Sequence, residues 1–295
     1  MSKEQISHRH HYLPEFLLNG FAANDGKLFV YDKLSRRFWK NTAFPKQIFY
    51  RYNQNTFTIG DEETDFVETL YSKFDNDFAP VYERILQMLG PVELNIDDTI
   101  AVLIFVAVSF YRVPANDKTV ANYVKSKSPQ SLGFRLYNHI TNEDIGPEWY
   151  KILMEEPSFV ESYRISKVLV EIMRLKSNIK LANWTIAAPT ALKGFGLIGD
   201  NPVIMRNPFE ENFIDQEMIM PLSKHHVVHH YQGNKPDKLP SEHKFAIDLF
   251  QFLQADQYVC GSNKEYMEKM ADFVKWPELD KMLPSLKANL FGPFL

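Results

Sequence analysis

The spacing of apolar residues predicts a helical middle to the chain. After residue 60 the apolar positions recur at three- and four-residue intervals, which is typical of amphipathic helices. They are Phe66, Leu70, Phe74, Val81, Ile85 and Leu89. Pro80 falls between the two groups, so the pattern predicts two helical pieces. The run 100–110 is apolar almost throughout but shorter than the roughly 20 residues of a membrane span, which predicts a buried core helix over 98–111. Further helices are predicted near 114–126, 147–155 and 158–178.

Near the N-terminus the pattern predicts a short helix and a β-hairpin. The segment 12–20 is typical of a short helix, with Pro14 in the first turn and Gly20 just past the end of the helix. The segments 27–32 (KLFVYD) and 36–40 (RRFWK) contain apolar and aromatic residues on either side of the three residues 33–35, which predicts the hairpin.

Beyond Asn183 the pattern predicts short strands with helices among them. The strands are expected at 184–187, 196–198, 203–205, 217–220, 225–230 and 257–260, and the helices near 242–255 and 263–274. The tail after Trp276 is expected to pack on the surface. The fold class is therefore α+β in a single domain, 1–295. It has an N-terminal β-hairpin module (1–60), a helical middle (61–180) and a C-terminal short-stranded antiparallel sheet with two helices (181–295).

Charge is distributed unevenly along the chain, although the net charge is only −4. Residues 1–60 carry nine Lys and Arg against four Asp and Glu, whereas 61–100 carry two against eleven. The basic segment either binds an anionic ligand such as a phosphate or nucleic acid, or docks on the acidic helices. A single cysteine, Cys260, and the lack of a signal-peptide pattern predict a cytoplasmic protein with no membrane segment.

The N-terminal motif resembles that of a known family. The segment 10–21 (HHYLPEFLLNGF), followed by 26–33 (GKLFVYDK), resembles the opening of a widespread, mainly bacterial family, domain of unknown function 4238. Its signature begins His-Tyr-Val-Pro, and Leu13 and Glu15 are mild departures from it. Less specific similarities follow at 105–114 (FVAVSFYRVP), 200–203 (DNPV) and 221–223 (PLS). The family has no settled activity, so the resemblance implies a fold group without a reaction.

Three motif residues are candidates for catalysis. His11 has the side chain for general acid/base chemistry on a phosphodiester, because its pKa lies near working pH; alternatively it tethers the N-terminus. Arg112 is either a phosphate clamp or a cation suited to the end of its helix. Asp200 is either a base or metal ligand, or the first residue of a stiff turn. His10, Tyr12 and Asn201 are the candidate ligand-binding residues beside them. Glu68 is a further candidate for a site shared with His11.

The histidine-rich segment 225–230 is less favourable for metal binding. In a strand, residues four apart are separated by roughly 13 Å, which is too far for one ion. We expect an edge or surface strand there, with metal binding as the minority interpretation.

These residues lead to two functional hypotheses and one structural alternative. The first is a phosphodiester hydrolase, a nuclease-type toxin or an effector of defence against phage, with a possible divalent metal as cofactor. The alternative is a non-enzymatic binding or sensor protein that recognises a protein partner or a small anionic ligand. A purely structural role for the motif is the third possibility.

Overall fold

The strands of the fold form a five-stranded sheet, a four-stranded sheet and two two-stranded ribbons. The structure is a computed structural model, and it describes residues 8–59, 62–88, 90, 92–127, 137–155, 167, 183–190, 194–207, 213–231, 233–236 and 238–292. The described strands are β1 (Arg9–His11), β2 (Phe29–Asp32), β3 (Arg37–Phe38), β4 (Tyr50–Tyr52), β5 (Phe57–Ile59), β6 (Glu62–Thr64), β7 (Trp184–Pro189), β8 (Leu197–Gly199), β9 (Ile204–Met205), β10 (Met218–Ser223), β11 (His226–His230), β12 (Lys238–Leu239) and β13 (Tyr258–Gly261). The described helices are α1 (Glu15–Asn19), α2 (Phe66–Gln87), α3 (Ile96–Arg112), α4 (Asp117–Ser126), α5 (Gly146–Glu155), α6 (Ser241–Gln254), α7 (Lys264–Phe273) and α8 (Leu279–Leu290). The class is α+β, as predicted.

The predicted N-terminal hairpin is confirmed as β2 and β3, and it belongs to a four-stranded antiparallel sheet. The strand order is β3-β2-β13-β8, so the hairpin pairs with a strand more than 200 residues further along the chain. Val30 lies opposite Cys260, and both are buried. The predicted strand around Cys260 is thus confirmed as part of the core.

Helix α6 closes the free edge of that sheet with polar side chains. The Asp248 carboxylate accepts the N–H of Leu197 at 3.1 Å, and the Gln251 side-chain oxygen accepts the N–H of Gly199, also at 3.1 Å. A Cβ on Gly199 would lie 2.6 Å from the carbonyl oxygen of Gln251, so only glycine fits this close approach. An edge strand leaves backbone groups unpaired, and here buried helix side chains pair them.

The five-stranded sheet has the order β12-β7-β11-β10-β9. Its pairs are antiparallel except that of β12 with β7, which is parallel. The histidine-rich strand β11 lies in the interior of the sheet, between β7 and β10, and all of its residues are buried. The expectation of an edge or surface strand is therefore wrong. The strand is interior because Val227 and Val228 pack into the apolar cores on the two faces of the sheet.

Helix α2 runs through Pro80 without a break, which corrects the prediction of two helical pieces. The Pro80 ring is exposed, and buried residues on either side of it hold both halves of α2 against α3. Phe78 stacks on Phe105 of α3 with ring centroids 4.1 Å apart. The packing energy of this aromatic face offsets the backbone hydrogen bond that proline cannot make.

The other helix predictions have different outcomes. The core helix is confirmed as α3, with the Asn95 side chain capping its first turn by accepting the N–H of Asp98 at 2.8 Å. The helix predicted over 158–178 lies outside the described residues, apart from Lys167.

The tail after Trp276 forms a third C-terminal helix, α8, which the pattern missed because Pro284 interrupts it. Leu279 and Leu290, its first and last residues, are buried and anchor this helix on the surface of the fold. Among the described residues, no helix is long and apolar enough to cross a membrane.

Candidate functional site

The N-terminal motif begins as one strand of a two-stranded ribbon. Strand β1 pairs with β4 in antiparallel register, with Arg9 opposite Tyr52 and His11 opposite Tyr50. Directly opposite residues of such a pair lie on the same side of the ribbon. These four residues define the outer face of the ribbon, which is at least partly open to solvent: Arg9, His11, Tyr50 and Tyr52.

His11 is oriented through one nitrogen of its ring. Its Nε2 lies 3.3 Å from the carbonyl oxygen of Lys46 and 3.9 Å from a carboxylate oxygen of Glu15. Because the carbonyl can only accept, Nε2 carries the proton and donates it. Nδ1 then becomes the acceptor nitrogen, and it has no hydrogen-bond partner among the described residues. The side chain is 19% exposed.

The charge state of His11 is set mainly by its partial burial. Burial lowers the pKa of His11 below its usual value, and the charges of Arg9 and Arg112 lower it further. Glu15 and the Lys46 carbonyl act in the opposite direction without reversing the shift. The imidazole is therefore neutral at pH 7, which is the state that a general base requires.

Arg9 and the two tyrosines complete the outer face. The guanidinium of Arg9 lies 3.7 Å from the centre of the Tyr50 ring and donates to the Lys46 carbonyl. The Tyr50 ring lies 5.6 Å from the His11 ring and 5.6 Å from the Tyr52 ring, centroid to centroid. Tyr52 is 69% exposed. A cation, a neutral imidazole and two aromatic rings are therefore contiguous on one surface.

His10 points the other way and is completely buried. Its Nδ1 accepts the backbone N–H of Asn55 at 2.9 Å, and the Asn55 side chain donates to a carboxylate oxygen of Glu68 at 2.9 Å. His10 thus contributes to packing beneath the ribbon. Glu68, which we expected near His11, lies instead on the His10 side of the motif.

Arg112 is 1% exposed and its guanidinium is held by two partners. It donates to both carboxylate oxygens of Asp75 on α2, at 2.8 and 3.2 Å, and to the backbone carbonyl of Tyr12 at 3.1 Å. Burial lowers the pKa of Arg112, but the charge of Asp75 and its hydrogen bonds reverse this and raise the pKa overall. Arg112 therefore holds the segment that carries His11 from its buried side. We call His10, Asn55, Glu68, Asp75 and Arg112 the inner network.

Tyr12 connects the inner network to Asp200. Its backbone bonds to Arg112 and to the carbonyl of Phe49, at 3.1 and 2.9 Å. Burial raises the pKa of the Tyr12 phenol, and the negative charge of Asp200 raises it further. The motif segments that lie far apart in sequence, at 10–12, 112 and 200, thus come together around this one tyrosine.

Asp200 is occupied by the backbone of the loop that leads into β13. Its two carboxylate oxygens accept the N–H groups of Asp256, Gln257 and Tyr258 at 2.6, 2.8 and 2.9 Å. Burial raises the pKa of Asp200, and these three hydrogen bonds oppose the rise. Asn201 accepts a hydrogen bond from the side chain of Asn116 at 3.3 Å, which ties the 200–203 segment to the end of α3.

The segment 221–223 packs against the end of the N-terminal motif. The hydroxyl of Tyr82 donates to the carbonyl of Leu222 at 2.7 Å, and the backbone N–H of Lys224 donates to the carbonyl of Gly20 at 3.1 Å. A Cβ on Gly20 would lie 2.9 Å from the Cβ of Ser223. Glycine is therefore required where these two segments meet.

The buried histidines of β11 are kept neutral. Burial lowers the pKa of His226 and His230, and it lowers that of His229 to about 3. His226 bonds to Ser223 and to the carbonyl of Met88, at 3.2 and 3.0 Å. Across the part of the chain that the structure describes, no group of three or more His, Cys, Asp or Glu residues is placed to hold a metal ion.

Several important residues gave no clear signal in the sequence. Tyr50 and Tyr52 alternate around Arg51, but a strand of three residues is too short to identify by periodicity. Asp75 is one of the eleven acidic residues of 61–100, and nothing local in the sequence indicates its partner on α3. Arg9 precedes the motif, and only the pairing of β1 with β4 shows that it shares a face with His11.

The comparisons with known proteins identify a family. A family model described as a protein of unknown function, DUF4238, matches residues 9–265. No curated protein and no solved structure matches the chain. The matched range includes the outer face, the inner network and the 200–203 and 221–223 segments, and it confirms the resemblance seen in the N-terminal motif. The chain belongs to the DUF4238 family.

Proposed function

We propose that the protein is a hydrolase of nucleic-acid phosphodiesters and that its reactive group is His11 on the outer face of the ribbon. The observation that carries this proposal is the orientation of the imidazole. Nε2 is held by the Lys46 carbonyl, so the acceptor nitrogen Nδ1 is left for a ligand. A base whose second nitrogen is fixed in this way is prepared for proton transfer.

Arg9 is the phosphate-binding cation in this proposal. Its guanidinium shares the Tyr50 ring with His11, and it is exposed. Arginine pairs well with phosphate because its N–H donors form a planar fork. The basic charge of the N-terminal segment adds a favourable field for a polyanion.

Arg112 and Asp200 act as positioning residues in this proposal. Arg112 holds the backbone carbonyl of Tyr12, the residue that follows His11, and Asp200 holds the loop before β13. Both groups are buried and hydrogen-bonded, so neither needs to touch the substrate. Their substitution affects catalysis through the placement of the motif.

The engagement of Arg112 and Asp200 also favours a second candidate function. If these groups only maintain the fold, the outer face is a binding surface without chemistry, and the protein recognises an anionic ligand. Both candidates place the ligand on the same residues. They differ in whether a covalent bond is broken.

A cleavage assay separates the two. Purified full-length protein is incubated with end-labelled single-stranded RNA and DNA, with and without chelator, beside His11→Gln and the control His139→Gln. Glutamine keeps a donor for the Lys46 carbonyl but cannot take up a proton. We expect cleavage by wild type and by His139→Gln, which alters an exposed histidine outside the ribbon, and a loss of at least about 100-fold in His11→Gln.

Binding without cleavage would establish the second candidate. Equal cleavage by wild type and His11→Gln would contradict the assignment of His11. The chelator arm decides whether a divalent metal takes part. Intact nucleic acid that is also unbound would overturn the proposed function.

A further inference from the structure

We propose that the substrate is single-stranded RNA and that its own 2′-hydroxyl is the nucleophile, with His11 Nδ1 as the base that activates it. This inference rests on the proposed function and names the substrate class of the same site. Three features of the ribbon support it: the groups that it offers for chemistry, the groups that can bind a phosphate, and the rings that can stack on a base.

The ribbon strands offer a base and a cation, and their only hydroxyl groups are the phenols of Tyr50 and Tyr52. Their sequences are Arg-His-His and Tyr-Arg-Tyr, without serine, threonine or cysteine. RNA supplies a nucleophile itself, because each ribose has a hydroxyl beside the phosphate that is to be cleaved. A single neutral imidazole next to an arginine is then sufficient for the first chemical step.

The step balances as a transesterification. The 2′-hydroxyl gives its proton to Nδ1 of His11 while its oxygen forms a bond to phosphorus. The bond from phosphorus to the 5′-oxygen breaks, and that oxygen takes a proton from solvent water, to which the outer face is open. The products are a 2′,3′-cyclic phosphate and a 5′-hydroxyl. The imidazolium then returns its proton to solvent, so no oxidant or reductant is needed.

Arg9 is the cation of the outer face that would neutralise the charge of the phosphate. It lies over one face of the Tyr50 ring, and His11 contacts the same ring at 5.6 Å between centroids. Only one partner, the Lys46 carbonyl, accepts a hydrogen bond from the Arg9 guanidinium among the described residues. Its remaining N–H donors suit the non-bridging oxygens of a phosphodiester.

Tyr52 favours a single strand over a duplex. Its ring is 69% exposed and lies at the edge of the same face, 5.6 Å from the Tyr50 ring. Aromatic side chains on a basic surface stack on unpaired bases, whereas the bases of a duplex already stack on each other.

The test uses three end-labelled oligonucleotides of one sequence: all RNA, all DNA, and RNA with one 2′-deoxynucleotide at a mapped cleavage position. We expect RNA to be cut to a 2′,3′-cyclic phosphate, the single deoxy substitution to block cleavage at its own position, and DNA to be bound but uncut. We also expect Tyr52→Ala to raise the dissociation constant for uncleavable DNA at least about fivefold. The matched control is Tyr137→Ala, which removes another exposed tyrosine from a separate turn and leaves that constant unchanged.

Each outcome has a definite meaning. Cleavage of DNA, or cleavage at the deoxy position, overturns the RNA inference while leaving the phosphodiester hydrolase in place. A Tyr52→Ala variant that binds like wild type overturns the stacking interaction with Tyr52. If neither nucleic acid is bound or cut, the proposed function falls together with the inference. If His11→Gln, prepared in parallel, cleaves RNA as well as wild type does, the assignment of His11 as the base is overturned.

Discussion

The outer face and the inner network contain similar residues but use them in opposite ways. Both have a histidine of the same motif and an arginine. In the inner network, His10 and Arg112 are buried, and their polar atoms bond to Asn55, Asp75 and the backbone of Tyr12. On the outer face, Arg9 and His11 keep donors and an acceptor open to solvent. The alternation of a strand sends consecutive histidines to opposite sides. One motif therefore supplies both a structural anchor and a candidate reactive group.

The largest expected effect comes from the centre of the inner network. Asp75→Asn leaves the buried guanidinium of Arg112 without its counter-charge, and we expect a loss of about 3–5 kcal/mol in the free energy of unfolding. Urea denaturation measures it. Asp77→Asn is the control, since Asp77 is exposed on the same helix. Equal stability of the two variants would mean that the ion pair between Asp75 and Arg112 does not stabilise the fold.

A somewhat smaller effect is expected at Asp200. Alanine there leaves three backbone N–H groups at the start of β13 without an acceptor, which costs about 3 kcal/mol. Thermal and urea unfolding of Asp200→Ala should both show the loss. Asp256→Ala changes an exposed carboxylate in the same loop and is expected to be close to wild type. If Asp200→Ala were as stable as wild type yet inactive, Asp200 would belong with the outer face as a reactive group.

The contrast between buried and open histidines can be measured by pH. His229 has a pKa of about 3 in the folded protein, against about 6.5 when unfolded. Below pH 6.5 the unfolded state therefore binds a proton that the folded state excludes, and stability falls as pH falls. Between pH 7 and pH 5 this amounts to about 2 kcal/mol from His229. Urea unfolding at both pH values measures the free energy of unfolding. Its decrease from pH 7 to pH 5 should be about 2 kcal/mol smaller in His229→Gln than in wild type. Identical pH dependence would contradict the assignment.

The smallest effects test the electrostatics of the outer face. Glu15 raises the pKa of His11 and Arg9 lowers it. Glu15→Gln is therefore expected to lower the pKa of His11, and Arg9→Ala to raise it. An NMR titration of the His11 ring protons follows both changes, with wild type expected below the usual value of about 6.5. Shifts of the two variants in the same direction would show that these side chains do not determine the charge state of His11.

How far the sequence predicts the molecule depends on the range of the interactions. The β2–β3 hairpin and helix α3 were predictable because their pattern is local: apolar and aromatic residues on either side of a short turn, and an apolar run with polar ends. The β1–β4 ribbon was not, since three-residue strands have little periodicity and their partners lie about 40 positions apart. The same limit applies to Arg112. Its place at the end of α3 was visible in the sequence, but its pairing with Asp75 depends on how α2 packs.

The most direct test of the central claim measures folding and ligand binding in one variant. His11→Gln combined with Tyr52→Ala alters the outer face without touching the inner network. We predict that its free energy of unfolding stays within about 1 kcal/mol of wild type, while cleavage of single-stranded RNA is lost and its binding is weakened at least about fivefold. Full RNA binding by this variant would contradict the account, and so would a loss of stability as large as that expected for Asp75→Asn.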